Sequence, residues 1–163
     1  MENPEVKVKK LDNGALLPRY AHSDDAGADL AIAEDLTLAP GERRVVGTGI
    51  AVAIPPGHAG FVCPRSGLAA RAGLSIVNSP GVIDAGYRGE IRICLINTDR
   101  VAPIRLIRGD LVAQIVIQPV QRVDFQLVED LPVSVRGDGG YGSSGGVAAW
   151  CLDETNQPSM MER

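Results

Sequence analysis

Short apolar runs recur along the chain, each closed by glycine, proline or a charged residue: "VKVKK" (6–10), "ADLAIA" (28–33), "RRVVGTGIAVAI" (43–54), "HAGFVCP" (58–64), "GEIRICLINT" (89–98), "DLVAQIVIQPV" (110–120) and "FQLVE" (125–129). They are rich in β-branched residues, and the stretches "APGE", "PPGH", "SPGV" and "DAGYRG" have turn chemistry. Runs this short, this often interrupted, predict an all-β fold, a barrel or jelly roll. Within "EIRICLIN", Ile91, Ile93 and Leu95 share one face and Arg92, Cys94 and Ile96 the other. Since the second face is also largely apolar, the strand is expected to be buried on both sides, which points toward subunit association. Only "SGLAARAG" (66–73) reads as a helix, with Ser66 as its cap and Gly73 as its stop.

Composition narrows the class. The 163 residues suffice for one domain, and aromatics are only 4% against 19 glycines and 11 prolines, which suits an aliphatic, turn-rich β fold. A net charge of −4 provides no basic field for a nucleic-acid backbone, so no nucleic-acid partner is expected. Cys63, Cys94 and Cys151 are widely spaced, with no CxxC, and read as buried thiols in a reducing compartment. The opening "MENPEVKVKK" has no apolar signal core and no run reaches membrane-spanning length, so a soluble cytoplasmic protein with no membrane partner is expected. The pattern gives a core over 1–132, a Gly/Ser-rich arm over 133–146 and a disordered tail over 147–163.

The candidate chemistry is acidic and arginine-based, because His22 and His58 are too few for a multi-histidine metal site. "SPGVIDAGYRGEI" (79–91) reads as a hairpin whose tip joins Asp84 to Tyr87. Asp84 is either a base that activates water or the cap of an Asx-turn, and Tyr87 either a platform for a flat substrate or a turn residue. Arg65, the Ser66 hydroxyl and the Gly67 amide form an anion seat, or else a plain cap with a surface ion pair. "DDAGADL" supplies Asp24, Asp25 and Asp29, either a Mg²⁺ site through water or a turn. Gln114 interrupts an apolar strand and either meets a ligand or faces solvent. "RGDGGYGSSG" (136–145) has the glycines, hydroxyls and cation of a phosphate cradle without the Gly-Lys-Ser/Thr ending of a P-loop.

In order, "AGADL" (26–30), "PRSGLA" (64–69), "GVIDAGYRGEI" (81–91), "RGDLVAQIVI" (108–117) and "RGDGGYGSSG" (136–145) resemble the five motifs of the trimeric dUTPase family, bacterial type. The resemblance implies a distorted jelly-roll β-barrel, a homotrimer with three active sites shared between subunits, and Mg²⁺-dependent hydrolysis of dUTP to dUMP and pyrophosphate. Asp84 then corresponds to the carboxylate that orients and deprotonates the attacking water, and Tyr87 lies under the deoxyribose. The backbone of Val82, Ile83 and Asp84, with Asn78, reads the uracil edge. Arg65, Ser66, Gly67 and Gln114 contact phosphates, Arg92 is a further substrate contact, and Asp29 holds a Mg²⁺-bound water. Arg136, Gly142, Ser143 and Ser144 wrap the phosphates while Tyr141 covers the base. Tyr141 and Ser144 stand where the family more often has Phe and Thr. Two rival readings belong with this one: a dCTP deaminase, alone or bifunctional, and a nucleotide-binding regulatory module without turnover.

Overall fold

The computed structural model describes residues 4–140. Its chain forms two compact units that divide at Val123/Asp124, earlier than the core boundary at 132 suggested by the turn pattern. Among the described residues the first unit carries every regular element: β1 (Lys7–Lys10), β2 (Ala28–Ala31), β3 (Leu36–Leu38), β4 (Arg43–Ala53), β5 (His58–Pro64), α1 (Ser66–Ala72), β6 (Leu74–Ile76), β7 (Gly81–Asp84), β8 (Glu90–Asn97), β9 (Ile104–Leu106) and β10 (Leu111–Pro119). The strands form two four-stranded antiparallel sheets, ordered β1-β4-β8-β6 and β2-β10-β5-β7, with β3 and β9 as a small third sheet. This is the all-β, jelly-roll-like architecture that the periodicity implies.

Alternation decides which face each strand buries. Ile91, Ile93 and Leu95 of β8 are within 2% of full burial and pack with Val46, Ile50 and Val52 of β4, Leu74 and Ile76 of β6, and Val62, Val112 and Ile115 of the second sheet. The opposite face of β8 departs from expectation: Cys94 and Ile96 are only half-buried and Arg92 is exposed, because among the described residues nothing fully covers that side of the sheet. Cys63 is likewise half-buried, so neither described thiol has the full burial anticipated; both are free, and Cys151 lies outside the described residues.

Two polar side chains are buried in this apolar body, and both are satisfied. Thr48 donates to the Ile91 carbonyl at 2.7 Å. Asn97, 0% exposed, donates through Nδ2 to the carbonyls of Leu38 (3.1 Å) and Ala102 (2.9 Å) and accepts the Asp99 amide at 2.9 Å. One amide thus ties the end of β8 to β3 and to the loop before β9. At the other end of the short β3–β9 pair Arg108 donates to the Asp12 carboxylate at 2.6 Å and to the Ala33 carbonyl at 2.8 Å. That hydrogen bond holds the exposed Asp12 carboxyl below its ordinary range and raises the Arg108 guanidinium.

Residues 66–72 are helical as expected, and Gly73 ends the helix at φ 67, its amide returning to Ala69. The cap is displaced by one residue: extended Arg65 occupies the N-cap position, and Ser66 is already the first helical residue with no capping bond.

In the second unit "FQLVE" is not a strand; no strand or helix occurs among residues 124–140. Phe125, Leu127, Leu131, Val133 and Val135 keep the period of a strand with one apolar face, yet all are exposed. A strand needs a neighbour for its amides and a cover for its apolar face, and neither is recorded for this segment. A turn at 134–139 is closed by Gly137, with φ 55, donating to Ser134 and by Arg136 Nε donating to the Gly139 carbonyl at 2.8 Å.

Removing the Asn97 amide takes a partner from the buried Leu38 carbonyl and from the part-buried Ala102 carbonyl and Asp99 amide. Asn97→Ala is expected to lose about 2–4 kcal/mol, read from the shift in a urea unfolding transition.

Candidate active site

The segment 79–91 is not a hairpin. Its first strand, β7, pairs with β5 in one sheet, whereas its second, β8, lies between β4 and β6 in the other. The turn between them therefore carries the chain across the sandwich. β8 cannot close onto β7 because both of its own edges are already taken. β7 is consequently an edge strand, and the gap beside it is a cleft of about 250 Å³ lined by Asn78, Val82, Ile83, Asp84, Tyr87 and Arg92, with Val62, Ile76 and Cys94 in its walls.

The turn itself is tightly laced. Tyr87 donates its amide to the Asp84 carbonyl at 3.0 Å and its hydroxyl to the Glu90 carbonyl at 3.0 Å. Arg88 donates to the carbonyls of Ala85 and Tyr87 at 2.6 and 2.7 Å. Gly89 leaves room for the ring, since a Cβ there would stand 2.6 Å from Tyr87 Cζ and displace it. Glu90 anchors the base of the turn by accepting the Gly49 amide at 2.8 Å, where β4 bulges between Gly47 and Ala51. The Asp84 carboxylate is exposed and accepts no hydrogen bond among the described residues, so the Asx-turn alternative does not hold. It projects with Tyr87 into the cleft.

A second cleft, of about 350 Å³, gathers Asp25, Gly27, Asp29, Arg65, Ser66, Gly67, Arg71 and Gln114. Arg65 sits at the exit of β5, where its Nε pairs with Asp29 Oδ1 at 3.0 Å and its Nη1 donates to the Leu111 carbonyl at 2.8 Å. Gln114 is neither solvent-facing nor loose: Nε2 donates to the Pro64 carbonyl at 3.0 Å, and its side chain covers Gly27. The aspartates of "DDAGADL" do not converge; among the described residues no three His, Cys, Asp or Glu side chains gather as a metal cage. Asp29 and Asp25 do line this cleft, and one oxygen of each is engaged, by Arg65 and by the His22 amide; carboxylates of this kind suit a Mg²⁺ that takes most of its ligands from elsewhere.

The predicted residues thus fall into two groups. Asn78, Val82, Ile83, Asp84, Tyr87 and Arg92 line the first cleft, and Asp29, Arg65, Ser66, Gly67 and Gln114 the second, with no lining residue in common. The sheet register explains the separation. Asp84 pairs with Ala59 near the start of β5 and Arg65 follows its end, so roughly 20 Å of strand lies between them. Arg136 belongs to the second unit, and Tyr141, Gly142, Ser143 and Ser144 lie outside the described residues. Sequence reasoning passed over Arg71 and Glu90; the signals were present in the fourth-residue spacing from Gly67 to Arg71 and in a carboxylate closing "GYRGE".

A family model described as dUTPase matches residues 13–145. A deoxyuridine 5'-triphosphate nucleotidohydrolase from Thermobifida fusca is 60% identical over 144 residues, covering 88% of this chain and 80% of that protein. One from Corynebacterium glutamicum is 59% identical over 143 residues, covering 88% and 96%. Among solved structures, a Staphylococcus bacteriophage 80alpha dUTPase with dUpNHpp superposes with a TM-score of 0.82 at 32% identity, covering 87% of this chain and 99% of that one. A dUTPase mutant from phage phi11 of S. aureus, described with a structural Mg(II) ion, gives 0.73 at 30% identity and covers 79% and 99%.

A methyl group on Gly27 would stand 2.9 Å from Gln114 Cδ and 3.2 Å from its Cβ, too near the root of the side chain to be relieved by rotation alone. Gly27→Ala is expected to cost about 1–3 kcal/mol, and most of that cost should disappear when Gln114→Ala is also present, as a double-mutant cycle of unfolding free energies would show.

Proposed function

The chain belongs to the dUTPase family and is a dUTP diphosphatase, and from that premise we propose how its residues divide the work. The observation that carries the proposal is the edge strand β7, whose outer backbone groups border the same cleft as Asp84 and Tyr87. Uracil binds there, its polar edge read by the main chain of Val82, Ile83 and Asp84 and by the Asn78 side chain. Fixed donors and acceptors on a backbone reject cytosine, whose amino group would face another donor, and close walls leave no space for the thymine methyl. Tyr87, held flat on Gly89 by its hydroxyl, lies under the deoxyribose, where a 2'-hydroxyl would collide.

Asp84 orients a water and accepts its proton as the oxygen attacks the α-phosphorus in line. The bond from that phosphorus to the α–β bridging oxygen breaks, and pyrophosphate leaves. Arg65, Ser66, Gly67 and Gln114 hold the phosphates, and Arg92 borders the nucleoside. Mg²⁺ bound to the triphosphate supplies charge neutralisation, with Asp29 holding one of its waters. Arg136, Tyr141, Gly142, Ser143 and Ser144 form an arm that closes on the bound nucleotide, the tyrosine over the base. The reaction limits uracil incorporation into DNA and supplies dUMP for dTMP synthesis, and we assign it to the cytoplasm, with no nucleic-acid or membrane partner.

A single chain separates the two groups of residues by the length of β5, which supports sites assembled from more than one copy in a homotrimer. The uncovered face of β8 and the exposed apolar residues of 125–135 favour the same assembly.

Pyrophosphate release from dUTP, dCTP, dTTP and UTP with Mg²⁺ tests the specificity: strong preference for dUTP is expected, and equal rates, or ammonia from dCTP, would overturn it. Asp84→Asn should bind dUTP yet turn over about 10²–10⁴-fold more slowly. Mixing Asp84→Asn subunits with Arg65→Gln subunits, each inactive alone, should regenerate about a quarter of the wild-type sites if each site takes these residues from different chains. Failure to recover activity in demonstrably mixed oligomers contradicts sharing.

A further inference from the structure

The second cleft contains two arginines, and their states differ. Arg65 is partly committed: Nε is paired with the Asp29 carboxylate and Nη1 with the Leu111 carbonyl, which leaves Nη2 to meet a phosphate. Its charge is balanced before any ligand arrives. Arg71, in the last turn of α1, has no carboxylate within ion-pair distance among the described residues. Its one recorded hydrogen bond runs from Nε to the Gly67 carbonyl at 3.2 Å, one helical turn back. That bond folds the side chain over Gly67, where the missing Cβ would stand 3.0 Å from Arg71 Nη2. Both terminal nitrogens remain available at the wall of a cleft that also contains Asp25, Asp29, Ser66 and Gln114.

We propose that Arg71 is a further phosphate-binding residue, the cation that meets the terminal phosphates of the triphosphate. The inference rests on the assignment of this cleft to the phosphates. The charges argue for it: Asp25 and Asp29 offset Arg65 and Arg71, so the cleft is neutral as a whole while the nucleotide brings several negative charges. Asp29 cannot release Arg65 without leaving a half-buried carboxylate unpaired. Arg71 carries no such pairing, and its planar guanidinium offers two parallel donors, Nη1 and Nη2, to phosphate oxygens. Glycine at 67 eases the approach, because a Cβ there would crowd Nη2 at 3.0 Å.

The test compares ligands that differ only in their outer phosphates. Affinities of dUpNHpp and dUMP are measured by calorimetry with Mg²⁺ for wild type, Arg71→Gln and Arg71→Lys, with far-ultraviolet dichroism and unfolding midpoints monitoring α1. The expected result is a loss of about tenfold or more for dUpNHpp in Arg71→Gln, unchanged dUMP affinity, and substantial recovery in Arg71→Lys. Equal losses for both ligands, or no loss for either, would overturn the role of Arg71. If wild type itself fails to prefer dUpNHpp over dUMP, the assignment of the cleft to phosphates falls, and the inference with it.

Discussion

β7 is hydrogen-bonded along one edge only, and the rest of the site follows from that constraint. Its natural partner in sequence, β8, is engaged on both sides by β4 and β6. The five-residue loop from one to the other (85–89) therefore crosses between sheets instead of reversing within one. A row of backbone donors and acceptors is left beside a cleft, held at fixed spacing by the β5 ladder. Reading a flat heterocycle demands such a row, because main-chain groups cannot rotate away to accommodate the wrong base. The bonds within the loop, from Tyr87 to Glu90 and from Glu90 to Gly49, keep the aromatic ring and the carboxylate in register with it.

The second cleft rests on a different balance. Arg65 and Asp29 neutralise one another across β10, from the exit of β5 to β2, which stabilises that corner and offsets part of the charge Arg65 brings to a ligand. Gln114 fastens the Pro64 carbonyl beside that pair, and Gly27 is the space its side chain needs. These contacts prearrange the Ser66–Gly67 corner before ligand arrives, so that little ordering remains to be done there upon binding. On the reading proposed above, charge for the outer phosphates then comes from groups outside the pair, such as Arg71.

Much of this was legible in the chain. Alternation gave the long strands β4, β5, β8 and β10 to within a residue or two, because a half-buried strand must show period two. The helix and its glycine stop were equally clear. β3, β6 and β9 escaped notice, since three residues carry too little periodicity to distinguish from loop. "FQLVE" failed in the opposite direction: it has the pattern of a strand, yet pattern supplies neither the neighbouring edge nor the cover that a strand requires.

The site divides along the same line. The five motifs, with Asp84, Tyr87, Arg65 and Gln114 at their centres, are local in sequence, so the chemistry available to the protein was set by the chain and could be read from it. Connectivity between sheets is not local. Whether β7 pairs with β8 depends on which strands compete for β8, and that competition is resolved by burying Ile91, Ile93 and Leu95 against partners from both sheets. Likewise, the pairing of Arg65 with Asp29, which leaves Arg71 as the uncommitted cation, arises where β2, β5 and β10 meet side by side. The sequence determined which groups the protein has; packing decided which of them are already spoken for.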